Sequence, residues 1–320
     1  MKTMLLCVAA VLVTAVAPPA ISQKYPTKPI RLIVPFPPGG GTDIMSRAIS
    51  APVSQSLGQS VVCDNRPGAG SAIGSELAVR AEPDGYTIIM ISSSYAANAA
   101  YRKLPYDPVK DIQPIILVGT TGLVMTVHPS VPVKNVPELI ALAKSQPGKL
   151  NYASVGAGSV TQLMHELFKI LTKTDIVHVP FKGGGPALTA LVGGQIQMSA
   201  ISLVPTLPHV KAGRLRAIGI STPKRSPLLP DVQAIGETVP GFEVIHWYGL
   251  WGPKGLPRNI VTLWNKEVAK VLLTDEMKRR TQAEGLDLGA GPPEQFHTVI
   301  RRDVEKWRRV VKEANIERAG

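Results

Sequence analysis

The residues of this sequence best suited to chemistry are glycines that stand between an apolar segment and a predicted helix. The first case is IRLIVPFPPGGGTD, in which a strand-like run ends in two prolines followed by Gly39, Gly40 and Gly41. Because glycine has no Cβ, a ligand can approach this backbone closely. Thr42 or Asp43 is expected to cap the next helix, whose free N–H groups and positive dipole end favour an anion. The loop therefore predicts a site for a carboxylate or a phosphate.

The same arrangement recurs further along the chain. The second case is NYASVGAGSVTQL, in which a loop leading into a helix contains Ser154, Ser159 and Thr161. The third is HVPFKGGGPALTAL, in which Lys182 precedes three more glycines. A further strand-like segment, TIIMI, is followed by three serines at positions 92–94. Since ligands bind beyond the carboxyl ends of parallel strands, these loops predict one site lined by backbone donors and hydroxyl groups.

Motifs of the common nucleotide-binding and hydrolytic folds are absent from the sequence. No Gly-Lys-Ser/Thr follows the first glycine loop, and GAGSAIG has one residue too many for a dinucleotide fingerprint. The segment HELF, which begins at His165, is not a zinc-protease motif, and no Gly-x-Ser-x-Gly elbow occurs. We therefore expect no cofactor, no metal ion and no catalytic residue. A hydrolase that uses Ser154 or Ser159 is the competing hypothesis.

The elements that must position these loops alternate between strand and helix, which predicts an α/β fold with largely parallel sheets. Helical patterns such as 137–145, 161–171 and 186–192 lie between apolar, β-branched runs. The runs predicted as strands are 30–35, 60–63, 87–91, 112–118, 123–127, 150–153, 176–179, 196–200 and 215–220.

Two places predict crossings between lobes. One is VGTTGL, at 118–123, and the other is PGFEVIHWYGLW, at 240–251. Two crossings make an insertion, with residues 23–122 and 244–320 in one lobe and 123–243 in the other. The second crossing contains the aromatic residues Trp247, Tyr248 and Trp251, for which hinge packing is the favoured interpretation over contact with a ligand. Contact with the cleft is the alternative for Tyr248 and for the isolated His246.

The first 22 residues are predicted to be a signal peptide. Lys2 precedes a short apolar run, and the segment ends in AIS, with small residues where a signal peptidase reads them. We expect cleavage after Ser22 and a periplasmic protein. Cys63 would then be the single cysteine of the mature chain, so no internal disulfide is possible.

The chain carries a formal net charge of +12, which is compatible with nucleic acid, an acidic membrane surface or small anions as partners. Much of this charge lies in IRRDVEKWRRVVKEANIER, at 300–318, where apolar residues recur at helical spacing. The bases occupy the opposite, solvated face of that helix. Aromatic residues are 5% of the chain and do not interleave with the bases, so no nucleic-acid partner is expected.

Several segments together resemble one protein family and cover nearly the whole mature chain in order. They include YPTKPIRLIVPFPPGGGTD, DNRPGAGSAIG, PDGYTIIM, NYASVGAGS, VHVPFKGGGPALTALVGGQI and WYGLWGPKGLP. They resemble the Bug-type substrate-binding receptors, which are the extracytoplasmic subunits of tripartite tricarboxylate transporters. The resemblance implies a two-lobed periplasmic-binding-protein fold of the type II-like, Venus-flytrap kind, with a hinge and a ligand cleft between the lobes. It also implies a small carboxylate ligand and large and small membrane subunits as partners. The chain itself is expected to be a monomer.

The resemblance further assigns the ligand contacts. In the first lobe they are Phe36, Gly39, Gly40, Gly41, Thr42, Ser92, Ser93 and Ser94. In the second lobe they are Ser154, Gly156, Ser159, Thr161, Lys182, Gly183 and Gly184.

One position departs from the family pattern. After the strand segment GGQIQM the family often carries an Asp that can face the ligand, whereas here Ile201 occupies that place and Ser202 follows it. If Ile201 faces the ligand, the missing acid disfavours an amino acid and favours an aromatic carboxylate or a non-amino dicarboxylate. The alternative is that Ile201 belongs to the core. A ligand-sensing receptor for a membrane signalling partner would share the same pocket, so the sequence leaves transport and signalling open.

Overall fold

The computed structural model describes residues 25–313 and residue 316, apart from the side chain of Glu284. The predicted signal peptide, 1–22, lies outside the described residues. The strands are β1 Ile30–Val34, β2 Val61–Asn65, β3 Thr87–Ser92, β4 Ile112–Val127, β5 Asn151–Ser154, β6 Val177–Pro180, β7 Met198–Ser202, β8 Arg216–Ile220, β9 Ile245–Pro253 and β10 Leu286–Leu288. The helices are α1 Gly41–Leu57, α2 Ala72–Val79, α3 Ser94–Tyr101, α4 Val136–Ser145, α5 Val160–Thr172, α6 Gly184–Val192, α7 Leu203–Lys211, α8 Arg258–Leu272, α9 Asp275–Glu284 and α10 Pro293–Glu313.

The long strand β4 joins two sheets, and each sheet forms the centre of one lobe. The first sheet has the order β2-β1-β3-β9-β4, with β10 also on β4. The second runs β4-β7-β5-β6, with β8 also on β4. β4 changes partners along its length, since Gly122 lies opposite Ile245 and Leu123 lies opposite Ser202. The parts of the chain built on these sheets are called the first lobe and the second lobe below.

Two sequence-based expectations about the sheets need correction. The segments 112–118 and 123–127 form one 16-residue strand, so the sheets are continuous through β4. VGTTGL stays extended because β9 and β10 supply hydrogen-bonding partners along it. The sheets are also mixed: β1–β2, β1–β3, β5–β6 and β5–β7 are parallel, whereas the pairs made by β4 and β9 are antiparallel. β9 enters the first sheet directly from the second lobe, without the crossover connection that a parallel neighbour would need, and it therefore pairs antiparallel.

The helices cover both sheets through apolar faces. In α10 the stripe Ile300, Val304 and Trp307 is buried, and the Nε1–H of Trp247 donates to the Asp303 carboxylate at 2.7 Å. The predicted arginine-rich face of this helix is exposed, which confirms its interpretation as a solvated surface. In the part of the chain that the structure describes, no helix has the length and apolarity needed to cross a membrane.

Candidate functional site

A small chamber lies between the two lobes at the carboxyl ends of their strands. Its volume is about 40 Å³, close to the space of one or two water molecules. Its wall residues are Phe36, Gly40, Gly41, Thr42, Ser92, Ser94, Leu123, Val155, Thr161, Gly184, Ile201, Ser202, His246 and Tyr248. Ten of these are among the residues that the sequence predicted to contact a ligand.

Helix N-termini from both lobes converge on this chamber. Within the described residues, five helices begin at its wall: α1, α3, α5, α6 and α7. The wall residues at or beside their first positions are Gly41, Ser94, Thr161, Gly184 and Ser202. The first N–H groups of a helix have no acceptor within the helix, and the dipole makes this end positive. The convergence therefore creates a region of positive potential that suits an anion.

The first turn of α1 shows how the sequence prepares one of these termini. The N-cap is Gly40, not Thr42 or Asp43 as the sequence predicted. Asp43 lies in the third helical position and reaches back, where its carboxylate accepts from the Gly39 N–H at 3.1 Å. Burial alone would raise the pKa of Asp43, but hydrogen bonds from Arg47, Asn65 and Gly39 bring it below its ordinary value. The carboxylate thus holds the loop and neutralises Arg47.

The serines after β3 divide between two tasks. Ser92 and Ser94 line the chamber, and the Ser94 hydroxyl accepts from the Val160 N–H of the other lobe at 3.3 Å. Ser93 points elsewhere, and its Oγ lies 2.6 Å from the Nδ1 of His246. Burial lowers the pKa of His246 to about 3, so this imidazole is neutral at physiological pH. Ser93 is therefore a support for His246 and not a wall residue.

The wall of the chamber is neutral. Its lining residues include hydroxyl groups and apolar side chains but no Asp, Glu, Lys or Arg in the part of the chain that the structure describes. The Tyr248 hydroxyl donates to the Ser202 Oγ at 2.9 Å and thereby joins β9 of the first lobe to β7 of the second. Ile201 lies in the wall beside Gly184, with 3% of its surface exposed. The site can hold an anion through dipoles and hydroxyl groups alone.

Several predicted contacts lie outside the chamber and support it instead. The Ser154 hydroxyl lies 2.6 Å from the Nε2 of His178. Ser159 is the N-cap of α5 and accepts from the Gln162 N–H at 3.4 Å. The Gly39 N–H was predicted to bind the ligand, but it donates to the Asp43 carboxylate instead.

The glycines of the two main loops let the lobes touch. A Cβ on Gly40 would lie 3.8 Å from the N atom of Gly184, and a Cβ on Gly185 would lie 3.0 Å from the Pro38 carbonyl oxygen. Gly183 has a φ of +121°, and a Cβ there would lie 2.5 Å from Pro37. Side chains at these positions would separate the loops. The repeated glycines therefore serve close approach of the lobes, in addition to any ligand.

A second, larger cavity lies beside the chamber and is called the vestibule below. Its volume is about 550 Å³. The wall contains residues 67–71 and Arg102 of the first lobe, residues 155–157 and 180–182 of the second, and Pro37. Phe36 and Val155 line both cavities. The predicted contacts Gly156 and Lys182 belong to the vestibule and not to the chamber.

Four wall residues of the chamber were not among the predicted contacts: Leu123, Val155, His246 and Tyr248. His246 and Tyr248 stand two residues apart on β9, so their side chains share one face of the sheet. The sequence contains this spacing, but the face that β9 turns to the cleft depends on its pairing with β3 and β4. Hinge packing was the favoured interpretation for Tyr248, but its side chain also lines the chamber. Among the described residues, no three His, Cys, Asp or Glu side chains are placed to hold a metal ion.

The fold and the chamber together define a class of protein. Two α/β lobes with an anion-compatible chamber between them form a solute-binding protein of the periplasmic-binding-protein type. The chain belongs to the tripartite tricarboxylate transporter receptor family, because the family model "Tripartite tricarboxylate transporter family receptor" matches residues 45–316. The resemblance to Bug-type receptors and the two-lobed fold it implied are thereby confirmed.

Relatives of known sequence and structure agree with this assignment. Protein BugT of Bordetella pertussis is 34% identical over 302 residues, covering 93% of this chain and 93% of BugT. An R. palustris protein solved with adipate has a TM-score of 0.87 and 34% identity, covering 91% of this chain and 98% of that one. MatC from Rhodopseudomonas palustris with bound malate has a TM-score of 0.85 and 33% identity, covering 90% of this chain and 100% of that one.

Proposed function

We propose that this protein captures a small carboxylate in the periplasm and presents it to the large and small membrane subunits of a tripartite tricarboxylate transporter. The observation that carries the proposal is the convergence of five helix N-termini on a chamber whose wall contains no charged side chain. Each terminus contributes roughly half a positive elementary charge through its unpaired N–H groups. An anion held by dipoles, without a fixed counter-charge, can bind and later be released to a transporter.

The size and lining of the chamber support a carboxylate without an amino group. The chamber is small, about 40 Å³ in volume, and it is lined by helix N-termini and hydroxyl groups, which suit a carboxylate. An ammonium group would need a carboxylate partner, and the matching wall position is Ile201. The solved relatives named above bind adipate and malate, which are carboxylates without an amino group. A non-amino dicarboxylate or an aromatic carboxylate is therefore the proposed ligand class.

The environment of the serines supports binding in preference to hydrolysis. Ser154 is fully buried and lines neither the chamber nor the vestibule, so a substrate carbonyl has no path to its hydroxyl. Burial lowers the pKa of its neighbour His178 to about 4, which makes that imidazole a weak base. Ser159 is also fully buried and is used as a helix cap. We infer that the protein has no catalytic residue.

We place the lobe boundaries between residues 122 and 123, where β4 changes partners, and between 243 and 244, where the chain returns to the first sheet. We further propose that residues 1–22 direct export and are removed after Ser22, and that the protein acts as a monomer. The wall residues of the chamber are the proposed ligand contacts.

The proposal is tested with the mature protein and a panel of mono-, di- and aromatic carboxylates. Saturable thermal stabilisation by a carboxylate is expected, with a matched amine or alcohol giving none. NMR spectra of the recovered ligand should show it chemically unchanged. Loss of uptake of that ligand by cells that lack the protein would support transport. A panel without a single stabilising carboxylate, or turnover of the ligand, would contradict the proposal.

A further inference from the structure

We infer that a pocket behind the hinge is a second ligand site, which takes a small apolar molecule bearing one anionic group. The pocket has a volume of about 570 Å³ and is called the hinge pocket below. It shares no wall residue with the chamber or the vestibule. A ligand bound there lies outside the cleft, so the site goes beyond the proposed function and does not depend on it.

The hinge pocket lies at a break in the pairing along one edge of β4. On this edge β10 of the first lobe pairs with residues 119–121, and β8 of the second lobe pairs with residues 124–127. The wall includes Gly122 at the break and Ile245, its partner on β9. Successive side chains of a strand face opposite sides of a sheet, so Ile245 faces away from the chamber that His246 lines. The pocket is therefore the space left where the two lobes diverge, on the face of the hinge strands opposite the chamber.

Both lobes contribute to this wall and touch within it. The turn between α9 and β10 places Gly285 of the first lobe against Leu203 and Leu228 of the second. A Cβ on Gly285 would lie 3.2 Å from the Leu228 Cδ1 and closer still to the Leu203 Cδ2. The carbonyl oxygen of Gly285 accepts from the Thr121 hydroxyl at 2.7 Å. These contacts hold a preformed space between two lobes, which is a common setting for small-molecule sites.

The lining of the hinge pocket suits an apolar body. Its aliphatic wall residues are Leu203, Ile220, Leu228, Ile245 and Leu286, and Pro223 and Pro227 join them. Leu228 and Ile245 are half-buried, so a ligand can still cover part of their surface. Small-molecule sites have volumes of about 300–1,000 Å³ and a mostly apolar lining with a few polar groups. The hinge pocket meets both criteria.

A positive side chain of the wall supplies a partner for an anionic group. Arg225 is neutralised, because its guanidinium donates to both carboxylate oxygens of Glu237, at 2.9 and 2.7 Å. Lys224 is exposed and forms no ion pair with any residue that the structure describes. The wall also contains one acid, Asp287 of the first lobe, which disfavours a second negative charge on the ligand. A single anionic group beside Lys224 is the arrangement that these charges favour.

The test uses two dyes that differ only in an anionic group. The dye 8-anilinonaphthalene-1-sulfonate (ANS) carries a sulfonate, and N-phenyl-1-naphthylamine is the same molecule without it. Fluorescence titration should show that ANS binds about three- to fivefold more tightly, the scale of one exposed ion contact. Lys224→Gln should remove this advantage. Lys211→Gln, a change at an exposed lysine outside the wall, is the matched control and should preserve it.

A second pair of variants locates the apolar body of the dye. Leu228 lines the hinge pocket, whereas its half-buried neighbour Leu229 does not. Leu228→Asn should weaken the binding of both dyes at least ~5-fold, because an apolar contact is replaced by a polar amide. Leu229→Asn should leave both affinities within about twofold of the parent protein.

Three results would overturn the assignment of this site. Dye affinities that Leu228→Asn leaves unchanged would place the dyes elsewhere. Equal affinities of the two dyes, or an ANS advantage that survives Lys224→Gln, would show that Lys224 holds no anionic group. Displacement of ANS by excess adipate or malate would place the dye in the cleft. Circular dichroism checks folding, and Lys224→Gln, a change at an exposed side chain, keeps the test decisive if Leu228→Asn does not fold.

Discussion

Replacement of Gly41 by alanine tests the chamber directly, because the added methyl group would enter its wall. A Cβ on Gly41 would lie 2.6 Å from the Ser202 Oγ and closer still to the Tyr248 hydroxyl. Both oxygens would have to move by about 1 Å or more to restore ordinary contact distances, which are near 3.4 Å. The hydrogen bond between Tyr248 and Ser202, 2.9 Å long, would not survive this movement.

The expected magnitude follows from these contacts. The methyl group would displace two hydroxyl groups of the chamber wall, those of Tyr248 and Ser202, around a space of only about 40 Å³. We expect carboxylate affinity to fall by at least ~2 kcal/mol, or about 30-fold, the scale of a charge-assisted hydrogen bond left unmade. Stability should change less, because overpacking costs roughly 1–3 kcal/mol and replacing a helical glycine returns up to about 1 kcal/mol.

Gly40→Ala provides the control one residue away. Its Cβ would meet Gly184 at 3.8 Å, an ordinary contact, and its φ of −82° suits any residue. We expect affinity within about threefold of the parent protein, with a stability loss of roughly 0.5 kcal/mol at the N-cap. Titration calorimetry gives the affinities, and circular dichroism confirms folding. Full-strength binding by folded Gly41→Ala would show that the anion does not occupy this chamber.

Ser202→Ala should weaken carboxylate binding by about 1 kcal/mol, because the hydrogen bond from Tyr248 that joins the lobes is lost. Ser199→Ala is the control, since it removes a buried hydroxyl on the same strand outside the chamber and should leave the affinity unchanged. Equal losses of affinity for the two variants in calorimetry would contradict this role of Ser202. Ile201→Asp should reduce carboxylate affinity by at least ~2 kcal/mol through like-charge repulsion, while Ile201→Asn, of the same shape, should lose less; equal affinities of the two variants would place this side chain away from the ligand. Burial lowers the pKa of His165 from 6.5 to about 3, so the unfolded chain binds the extra proton between these values and stability falls as pH falls through them. His165→Phe should therefore make the slope of unfolding free energy against pH shallower by about 1.4 kcal/mol per pH unit between pH 6 and 4 in denaturant titrations, and an unchanged slope would refute this assignment.

Local signals in the sequence determined the position of each loop that forms the chamber. An apolar strand, a run of glycines and a good helix start lie within about fifteen residues of one another in IRLIVPFPPGGGTD and HVPFKGGGPALTAL. Strand periodicity, turn preference and helix capping are short-range properties, so these units could be predicted from the residues alone. The lining of the site by backbone donors and hydroxyl groups also followed from the glycines, serines and threonines of the loops.

The tertiary structure decided which side chains meet in the chamber. Ser92 and Ser94 enter it while Ser93 turns to His246, because β3 ends where α3 begins and the intervening side chain faces the neighbouring strand β9. Tyr248 reaches the wall only because β9 pairs with β3 and β4, strands far away in the sequence. VGTTGL likewise became the middle of a continuous strand once β9 and β10 supplied its hydrogen bonds. Such outcomes depend on pairing between distant segments, and the free energy of those pairings is not encoded in any one local stretch of residues.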